Sequence, residues 1–409
     1  MAQTANNVPN GTLADKTNQS SQAASSASSF KSTSSRPTTT DTPASSSRTT
    51  DVNDSKPVAV DGEQEEEWQP PKPGPLKTPV TRPMKSAKPK PAAKLTPEQE
   101  TKYAAVLAAV SQWDTLPAST AKNAPPEPVQ DYERMWLTRE CLLRYLRATK
   151  WNQQNALKRL QSTISWRREY GADTFTADYI GPENETGKQL VLGYDNDARP
   201  CLYLNPAKQN TKMSDRQIHH LCFMLDRTVD MLPPGQESAC LLINFKGAAS
   251  GNVPSVGQAR AVLNILQGHS PERLGKAVIT DVPWIVSIFF KAISPFIDPV
   301  TREKMKFNEP LPNYVPSPQL WKEYPGGELD FVYDHDSYWP ALDVECKRRR
   351  EAFRKRWEEG GKMIGEYEEY LRGGKVSSLK QVIESADDGK SIGDKDVDVV
   401  AAGVAKLDV

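Results

Sequence analysis

The 409-residue chain has few of the residues that metal sites and covalent scaffolds require. It contains four histidines, and its five cysteines are widely spaced with no C-x-x-C pair. A disulfide framework or a zinc ribbon is therefore disfavoured, and the cysteine usage fits a reducing compartment. His219, His220 and Cys222 lie close together but lack the H-E-x-x-H spacing of a helical metal site. We expect neither a metal ion nor a cofactor.

The motifs of common α/β enzymes are also missing. The chain has no G-x-x-x-x-G-K-[ST] loop, no G-x-G-x-x-G follows a strand pattern, and GAASG at 247–251 has its serine one place too late for a nucleophile elbow. An α/β protein without a catalytic constellation is expected to bind rather than to turn over. We predict no enzymatic activity and no catalytic residues. An oxidoreductase is the least favoured class.

Charge and hydropathy exclude two further classes. Lys+Arg and Asp+Glu both number 52, so the chain lacks the net positive charge of proteins that coat nucleic acid. We expect no nucleic acid as a partner. The most apolar stretch, 282–297, is broken by prolines and a lysine and is too short to span a membrane. The N-terminus lacks the pattern of a secretory signal. We expect a cytoplasmic protein that touches membranes peripherally, with the endoplasmic reticulum, lipid droplets and the cell periphery left open.

Composition marks both ends of the chain as tails. Ser/Thr runs fill residues 1–55, an acidic stretch follows, and prolines then alternate with lysines up to Lys94. Such segments bury too little apolar surface to offset the entropy of ordering them. Residues 1–95 are therefore predicted to be a disordered tail that ends in an extended, basic, polyproline-like linker. Residues 373–409 are predicted to be flexible.

A helical domain is predicted for residues 96–180. Thr96, Pro97 and Gln99 form a helix start with a capping box. Amphipathic patterns then predict successive helices, the last of which begins near Asn152 and stops at Gly171.

From Lys188 the hydrophobic period changes to that of strands. Two apolar runs flank a turn-rich centre and predict a hairpin. Further strands are predicted at 240–245 and 276–280, alternating with helices at 214–232, 255–266 and 283–297. Residues 184–330 are therefore predicted to be an α/β domain with a mixed or parallel sheet, followed by a helical extension at 331–372.

The segment Pro283–Ile297 is apolar nearly all round and includes Trp284, Phe289, Phe290 and Phe296. One interpretation is a core helix buried on every side. The other is a movable wall over a lipid-sized cavity, which needs apolar surface on both its faces. Periodicity alone does not separate the two.

A short helix is predicted directly after this segment. Asp298 can cap it, Pro299 suits its first position, and its free amides favour an anion. Thr301 and Lys304 are three residues apart, so their hydroxyl and ammonium groups face the same way and could hold one phosphate. A surface turn without a ligand is the competing interpretation.

Three segments together resemble the CRAL-TRIO lipid-transfer family, and within it the fungal phosphatidylinositol transfer branch. They are 142–171, HSPERLGKAVITDVPW at 269–284, and FIDPVTREKMKF at 296–307. The resemblance covers residues 96–345. It implies a helical lead domain and a lipid-binding domain, in which a mixed sheet floors a deep apolar pocket and the helix at 283–297 is its gate.

The resemblance also implies site residues. Glu272 of P-E-R-x-G-K would orient the inositol end, and Thr301 and Lys304 of D-P-V-T-x-x-K would hold the phosphodiester. A buried pair of Glu272 and Lys304 is expected, because neither charge tolerates burial alone. Thr149 stands where the best-known members have a second basic residue, which weakens or alters the headgroup cage. Ala198 replaces a hairpin glycine and is expected to adjust only the turn.

The function that the resemblance implies is phosphatidylinositol transfer. The protein would exchange phosphatidylinositol against a second lipid, phosphatidylcholine or a sterol, during transient contact with membrane surfaces, and would so influence phosphoinositide and lipid metabolism. The alternative is a signalling adaptor that senses lipid with the same pocket.

A basic helix near the C-terminus has two interpretations. Seven of the ten residues at 347–356 are basic, and Phe353 and Trp357 lie on one face of the helix. The favoured interpretation is a solvated helix whose acidic residues offset the charge. The other is a peripheral anchor whose basic side chains meet anionic lipid while the aromatic rings insert.

Overall fold

The computed structural model describes residues 67–70, 74–212, 214–248 and 256–387. In these ranges the helices are α1 (Pro97–Ser111), α2 (Asp131–Trp136), α3 (Arg139–Ala148), α4 (Gln153–Tyr170), α5 (Ala177–Asn184), α6 (Asp215–Asp230), α7 (Val256–His269), α8 (Trp284–Ile293), α9 (Pro299–Glu303), α10 (His335–Glu359), α11 (Glu368–Leu371) and α12 (Leu379–Asp387). The strands are β1 (Thr115–Pro117), β2 (Pro126–Pro128), β3 (Gln189–Tyr194), β4 (Pro200–Leu204), β5 (Ala239–Asn244), β6 (Leu274–Thr280) and β7 (Met305–Phe307).

Local capping signals set the ends of the lead helices. The Thr96 hydroxyl accepts from the Gln99 amide and the Gln99 side chain accepts from the Thr96 amide, which confirms the capping box of α1. Asn152 caps α4, and Gly171 ends it with a left-handed φ of 68°. These helices enclose one apolar core, which includes Val106, Leu142, Leu146, Leu160 and Ile164. The small β1–β2 hairpin beside them has no counterpart in the sequence prediction.

The remaining strands form one mixed sheet in the order β3-β4-β5-β6-β7. β3 and β4 are the predicted antiparallel hairpin, and all later pairs are parallel. Helices α6, α7 and α8 connect the parallel strands. Because such crossovers are right-handed, a sheet whose strands follow one another in order carries all its connecting helices on one face. The predicted α/β fold with a mixed sheet is confirmed.

The hairpin turn keeps a left-handed residue although glycine is absent. Ala198 has a φ of 60°, and its amide donates to the Asp195 carbonyl at 2.9 Å. The Asp195 carboxylate also accepts from the amides of Asp197 and Arg199, at 2.9 and 2.8 Å. These bonds offset the strain of a side chain in this conformation.

The two faces of the sheet differ in how completely they are covered. Tyr203, Leu242 and Val278 are neighbours across β4, β5 and β6, and all three are buried. Segment 311–331 seals this face, and the Tyr203 ring lies 5.2 Å from that of Tyr324. The next row of the opposite face includes Leu204, Ile243 and Phe307, which stay partly or fully exposed. The helix-bearing face therefore keeps accessible apolar surface.

The N-terminal linker prediction is wrong for residues 74–95. This segment is extended as expected, but Leu76 and Val80 are buried in the core of the sheet domain. The Leu76 amide donates to Asp330, and its carbonyl accepts from Val332, at 2.8 and 2.9 Å. A few apolar side chains spaced between prolines suffice to dock it, although they form no helical or strand period. The Ser/Thr-rich part of the predicted tail lies outside the described residues.

The flexible C-terminal prediction is also wrong where the chain is described. Helix α12 packs its Leu379 and Val382 side chains inward, and Leu379 joins the core of the lead helices. The Gly365 amide donates to the Leu137 carbonyl at 2.8 Å, which fastens the preceding segment to the same helices. The apolar spacing of α12 is short, and the sequence prediction did not use it. Residues 388–409 lie outside the described ranges.

Replacing Leu379 with alanine tests this docking. If α12 is part of the cooperative fold, the free energy of unfolding should fall by about 2–5 kcal/mol, because a fully buried leucine leaves a cavity. Val376→Ala is the control, since Val376 is exposed and should change the value by less than about 0.5 kcal/mol. Denaturant titration measures both. If both variants changed the free energy of unfolding by equally small amounts, α12 would not be part of the cooperative fold.

Candidate functional site

Three charged residues lie at one edge of the sheet because of strand direction. Glu237, Glu272 and Lys304 come shortly before β5, β6 and β7, and these strands are parallel. The amino ends of parallel strands share an edge, so the fold brings the three residues together. Helix α3 adds Arg147 from its last turn.

Glu272 is paired with Arg147 rather than with Lys304. The Glu272 carboxylate accepts from Arg147 Nε at 2.5 Å, whereas Lys304 Nζ donates to the Leu274 carbonyl at 2.7 Å. The predicted buried Glu272–Lys304 ion pair is therefore wrong. Glu272 is 30% exposed, and the forked guanidinium of Arg147 reaches its carboxylate from the end of α3. Glu272 also has a φ of 59°, a strained conformation of the kind that functional sites retain.

Lys304 is half-buried, and burial lowers its pKa while the charges of Glu272 and Asp298 oppose that shift. The predicted start of α9 is confirmed, since the Asp298 carboxylate accepts from the Thr301 amide at 2.8 Å. The Asp298 carboxylate therefore occupies the Thr301 amide at the start of α9, where the sequence analysis expected free amides to bind an anion. Any phosphate here would therefore depend on the Thr301 and Lys304 side chains.

An ion-pair network continues from this edge to the C-terminal segment. Glu237 accepts from Arg144 at 2.9 Å and from Arg147 at 3.2 Å, and Arg144 also pairs with Glu368 of α11 at 2.6 Å. Burial would raise the pKa of Glu368, but Arg144 and the neighbouring arginines 273 and 372 hold it well below its usual range. The Glu368 amide in turn donates to the Glu140 carboxylate at 2.7 Å.

The face of α8 toward the sheet is apolar, and so is the face toward solvent. Val286 is buried with Ile279, while Trp284 and Ile288 are 74% and 55% exposed. The Phe290 ring meets that of Phe307 edge-on at 5.1 Å. The interpretation of this helix as a core element buried on every side is wrong. Phe289 is half-buried between α7 and the sheet, and Phe296 is exposed.

Gln267, which belongs to none of the motifs above, joins α7 to the chain just beyond α8. Gln267 donates to the Phe296 carbonyl and accepts from the Asp298 amide, both at 2.9 Å. Arg159 of α4 donates to the Gln267 carbonyl and, at 3.0 Å, to the Gly268 carbonyl. The chain between α8 and α9 is thus fixed to the lead helices. No spacing or motif marks such a contact, because it depends on tertiary placement.

The partly exposed apolar residues on the helix-bearing face of the sheet adjoin the charged edge. Met305 follows Lys304 directly and packs against residues of both α7 and α8, while Leu241 and Ile243 of β5 remain partly exposed. The arrangement suits an amphipathic ligand with a polar group at the edge and apolar chains over the sheet. Among the described residues no group of three His, Cys, Asp or Glu side chains could hold a metal ion.

The structure shows where two other residues singled out in the sequence lie. The Thr149 hydroxyl closes the end of α3 by donating to the Tyr145 carbonyl at 2.8 Å. The anchor hypothesis for the basic helix is wrong for its aromatic part, since Trp357 is buried and donates to the Met363 carbonyl. Arg350 and Arg354 are paired with carboxylates, as in the solvated-helix interpretation.

All five cysteines are buried and free, and no described helix is long and apolar enough to cross a membrane.

Glu140 predicts a specific pH dependence of stability. Burial and the nearby Glu368 carboxylate raise the pKa of Glu140 to about 7. A carboxyl group whose pKa is raised by folding favours the folded state when it is protonated. This contribution to stability is fully present at a pH below about 4.3, the pKa in the unfolded chain, and is lost as the pH rises through about 7. We therefore expect Glu140→Gln to gain melting temperature relative to the parent between pH 5 and pH 8.

Calorimetry at pH 5, 6, 7 and 8 measures this difference, and other titrating groups cancel because both proteins contain them. The control is Glu323→Gln, an exposed position whose melting curve should run parallel to that of the parent. If the melting temperature of Glu140→Gln also ran parallel to that of the parent from pH 5 to pH 8, the raised pKa of Glu140 would be contradicted.

Comparisons with known proteins show which family the chain resembles. Two family profiles match, "CRAL/TRIO domain" over residues 184–326 and "CRAL/TRIO, N-terminal domain" over residues 102–162. A CRAL-TRIO domain-containing protein of Schizosaccharomyces pombe is 50% identical over 291 residues, which are 71% of this chain and 29% of that relative. The Saccharomyces cerevisiae phosphatidylinositol transfer protein PDR17 is 40% identical over 277 residues, which are 62% of this chain and 79% of that relative.

Among solved structures, "Crystal structure of Sfh5" covers 63% of this chain and 100% of its own, with 15% identity and a TM-score of 0.42. The two profile matches fall on the lead helices and on the sheet domain, in the order that the fold requires. The 40% identity to PDR17 extends over most of that relative. The chain belongs to the CRAL-TRIO family, in its fungal phosphatidylinositol transfer branch.

Proposed function

We propose that this chain is a phosphatidylinositol transfer protein that exchanges phosphatidylinositol with a second lipid, phosphatidylcholine or a sterol, without catalysis. One observation carries the proposal: the partly uncovered apolar face of the sheet ends at an edge that bears Glu272 and Lys304, and Thr301 lies three residues before Lys304 in α9. A membrane lipid has the same division between apolar chains and a polar group. The name of PDR17, the relative aligned over 79% of its length, supports this proposal.

The polar edge suits inositol for a chemical reason. An ionised Glu272 is an acceptor only, and the inositol ring offers several hydroxyl donors. The choline group has no O–H or N–H donor, so the same carboxylate gains no hydrogen bond from phosphatidylcholine. Lys304 and Thr301 would hold the phosphodiester, which both phospholipids share. Glu272 is thus the residue expected to distinguish them.

Shielding the acyl chains must compete with the bilayer. Each buried CH₂ is worth about 0.8 kcal/mol, so the apolar surface has to cover most of both chains. Helix α8 is proposed to be the gate, because apolar residues face both the sheet and solvent. Its outward Trp284 and Ile288 would touch a membrane surface transiently while lipid passes. A cytoplasmic protein with peripheral membrane contact fits this cycle.

A lipid-sensing adaptor that uses the same pocket is the less favoured function. It would need a second surface for a signalling partner. No feature of residues 67–70, 74–212, 214–248 and 256–387 specifically favours such a partner.

Alanine at Glu272 or Lys304 should reduce phosphatidylinositol transfer at least tenfold. Each change removes a charge-assisted contact to the headgroup, which is worth about 1.5–3 kcal/mol. Phosphatidylcholine transfer should stay within about twofold in Glu272→Ala. Transfer of labelled lipid between vesicles is the measurement.

Lys322→Ala is the matched control, since Lys322 is an exposed lysine paired with Asp330 on the sealed side of the sheet. It should leave both transfer rates unchanged. Normal phosphatidylinositol transfer in both Glu272→Ala and Lys304→Ala would refute the headgroup assignment.

Crosslinking α8 to the sheet should stop exchange. Cysteines at positions 290 and 307, whose native rings are 5.1 Å apart, can be joined by a short thiol crosslinker, and the five native cysteines are buried from it. The linked protein should keep lipid that is already bound but lose vesicle-to-vesicle exchange. The same double variant without crosslinker is the control. Exchange at the control rate after complete linkage would show that lipid passes elsewhere.

A further inference from the structure

Arg147 holds a position at the charged edge that the family motifs did not single out. Its Nε donates to Glu272 at 2.5 Å, and a second nitrogen lies 3.2 Å from Glu237. The side chain is 33% exposed, so it is neither sealed in the core nor free in solvent. It is therefore the cation nearest to the residue proposed to read the inositol end.

Thr149 adds no positive charge to the charged edge. Its hydroxyl is used by the backbone at the end of α3, with the Tyr145, Leu146 and Asn152 carbonyls at 2.8, 3.2 and 3.2 Å. The site would then have Lys304 as its only predicted cation. Arg147 lies two residues earlier on the same helix and already reaches the edge.

The charge balance of the surrounding network favours an anion. The ion pairs link four arginines, Arg144, Arg147, Arg273 and Arg372, with three glutamates, Glu237, Glu272 and Glu368. Four positive and three negative charges leave one positive charge in excess among these ion pairs, and Lys304 adds another cation beside them. The charged edge therefore has cations that can pair with the single negative charge of a phosphodiester.

We infer that Arg147 is the second phosphate-binding cation of the lipid site, in place of the basic residue absent at position 149, and that Glu237 is its positioning residue. Glu237 is held by Arg144 at 2.9 Å, so it keeps one guanidinium nitrogen of Arg147 fixed. The remaining nitrogens can then turn from Glu272 toward the phosphate, which frees Glu272 to accept inositol hydroxyls. The forked guanidinium suits two oxygens of one phosphate.

This inference rests on the proposed function, and the experiment separates the two. Full-length parent, Arg147→Gln, Arg147→Lys, Glu272→Ala, Lys304→Ala and Arg216→Gln are incubated with vesicles of equal phosphatidylinositol and phosphatidylcholine content. Native mass spectrometry then gives the amount of each bound lipid and their ratio, and melting temperatures are recorded in parallel. Arg216 is the matched control because it is 37% exposed and pairs with Glu183 at 3.0 Å, away from the charged edge.

Arg147→Gln should lower the bound amounts of phosphatidylinositol and phosphatidylcholine alike, each about tenfold, because one charged hydrogen bond to the shared phosphodiester is lost. Lys304→Ala should show the same loss, Arg147→Lys an intermediate one, and Arg216→Gln none, whereas Glu272→Ala alone should lower the phosphatidylinositol-to-phosphatidylcholine ratio. Parent levels of both lipids in Arg147→Gln, beside a loss in Lys304→Ala, would overturn the role of Arg147 alone. A loss in Arg147→Gln that comes with a lower melting temperature would also overturn it, as a structural role. Parent levels of both lipids in Lys304→Ala together with an unchanged ratio in Glu272→Ala would overturn the proposed function.

Discussion

An apolar sheet face that stays partly uncovered sets the main constraint on this molecule. Apolar area left in water forgoes about 25 cal/mol per Å², and folded proteins have little stability in reserve. The opposite face of the sheet is correspondingly sealed. Segment 311–331 covers it, and the docked residues Leu76 and Val80 extend that core. The N-terminal linker and the C-terminal helices thus add buried surface to a domain whose other face is kept available.

The charged edge follows from the same topology. Parallel strands bring Glu237, Glu272 and Lys304 to one edge, where they are too buried to rely on water alone. Partly buried charges need partners: α3 provides them for the two glutamates through Arg144 and Arg147, and Lys304 donates to the Leu274 carbonyl. Glu368 of α11 pairs with Arg144, so the ion pairs link the C-terminal segment to α3, beside the apolar docking of Leu379. The charged edge and the packing of distant segments are therefore parts of one electrostatic arrangement.

Features with a local cause could be predicted from the sequence, and features with a tertiary cause could not. Thr96 and Asn152 cap helices through neighbours within three residues, so the helix starts followed from short patterns. Leu76 and Leu379 pack against residues hundreds of positions or several elements away, and neither segment has a long hydrophobic period. The site residues were recognised through motif resemblance. The Arg147–Glu272 pair is not predicted, because the two family motifs suggest a pair of Glu272 and Lys304. Only the folded chain brings Arg147 of α3 to the Glu272 carboxylate.

Helix α8 shows why one pattern can serve two requirements. A helix that only completed a core would gain nothing from an exposed tryptophan, and one that only met a membrane would not need Val286 buried against Ile279. Both ends of α8 are restrained differently: Gln267 fixes the chain just beyond it, whereas Trp284 at its start is largely in solvent. Motion about the fixed end would uncover the sheet face while leaving Thr301 and Lys304 in place, because they lie beyond the Gln267 contact. In the proposed gate, the apolar opening and the polar edge would thus be controlled separately.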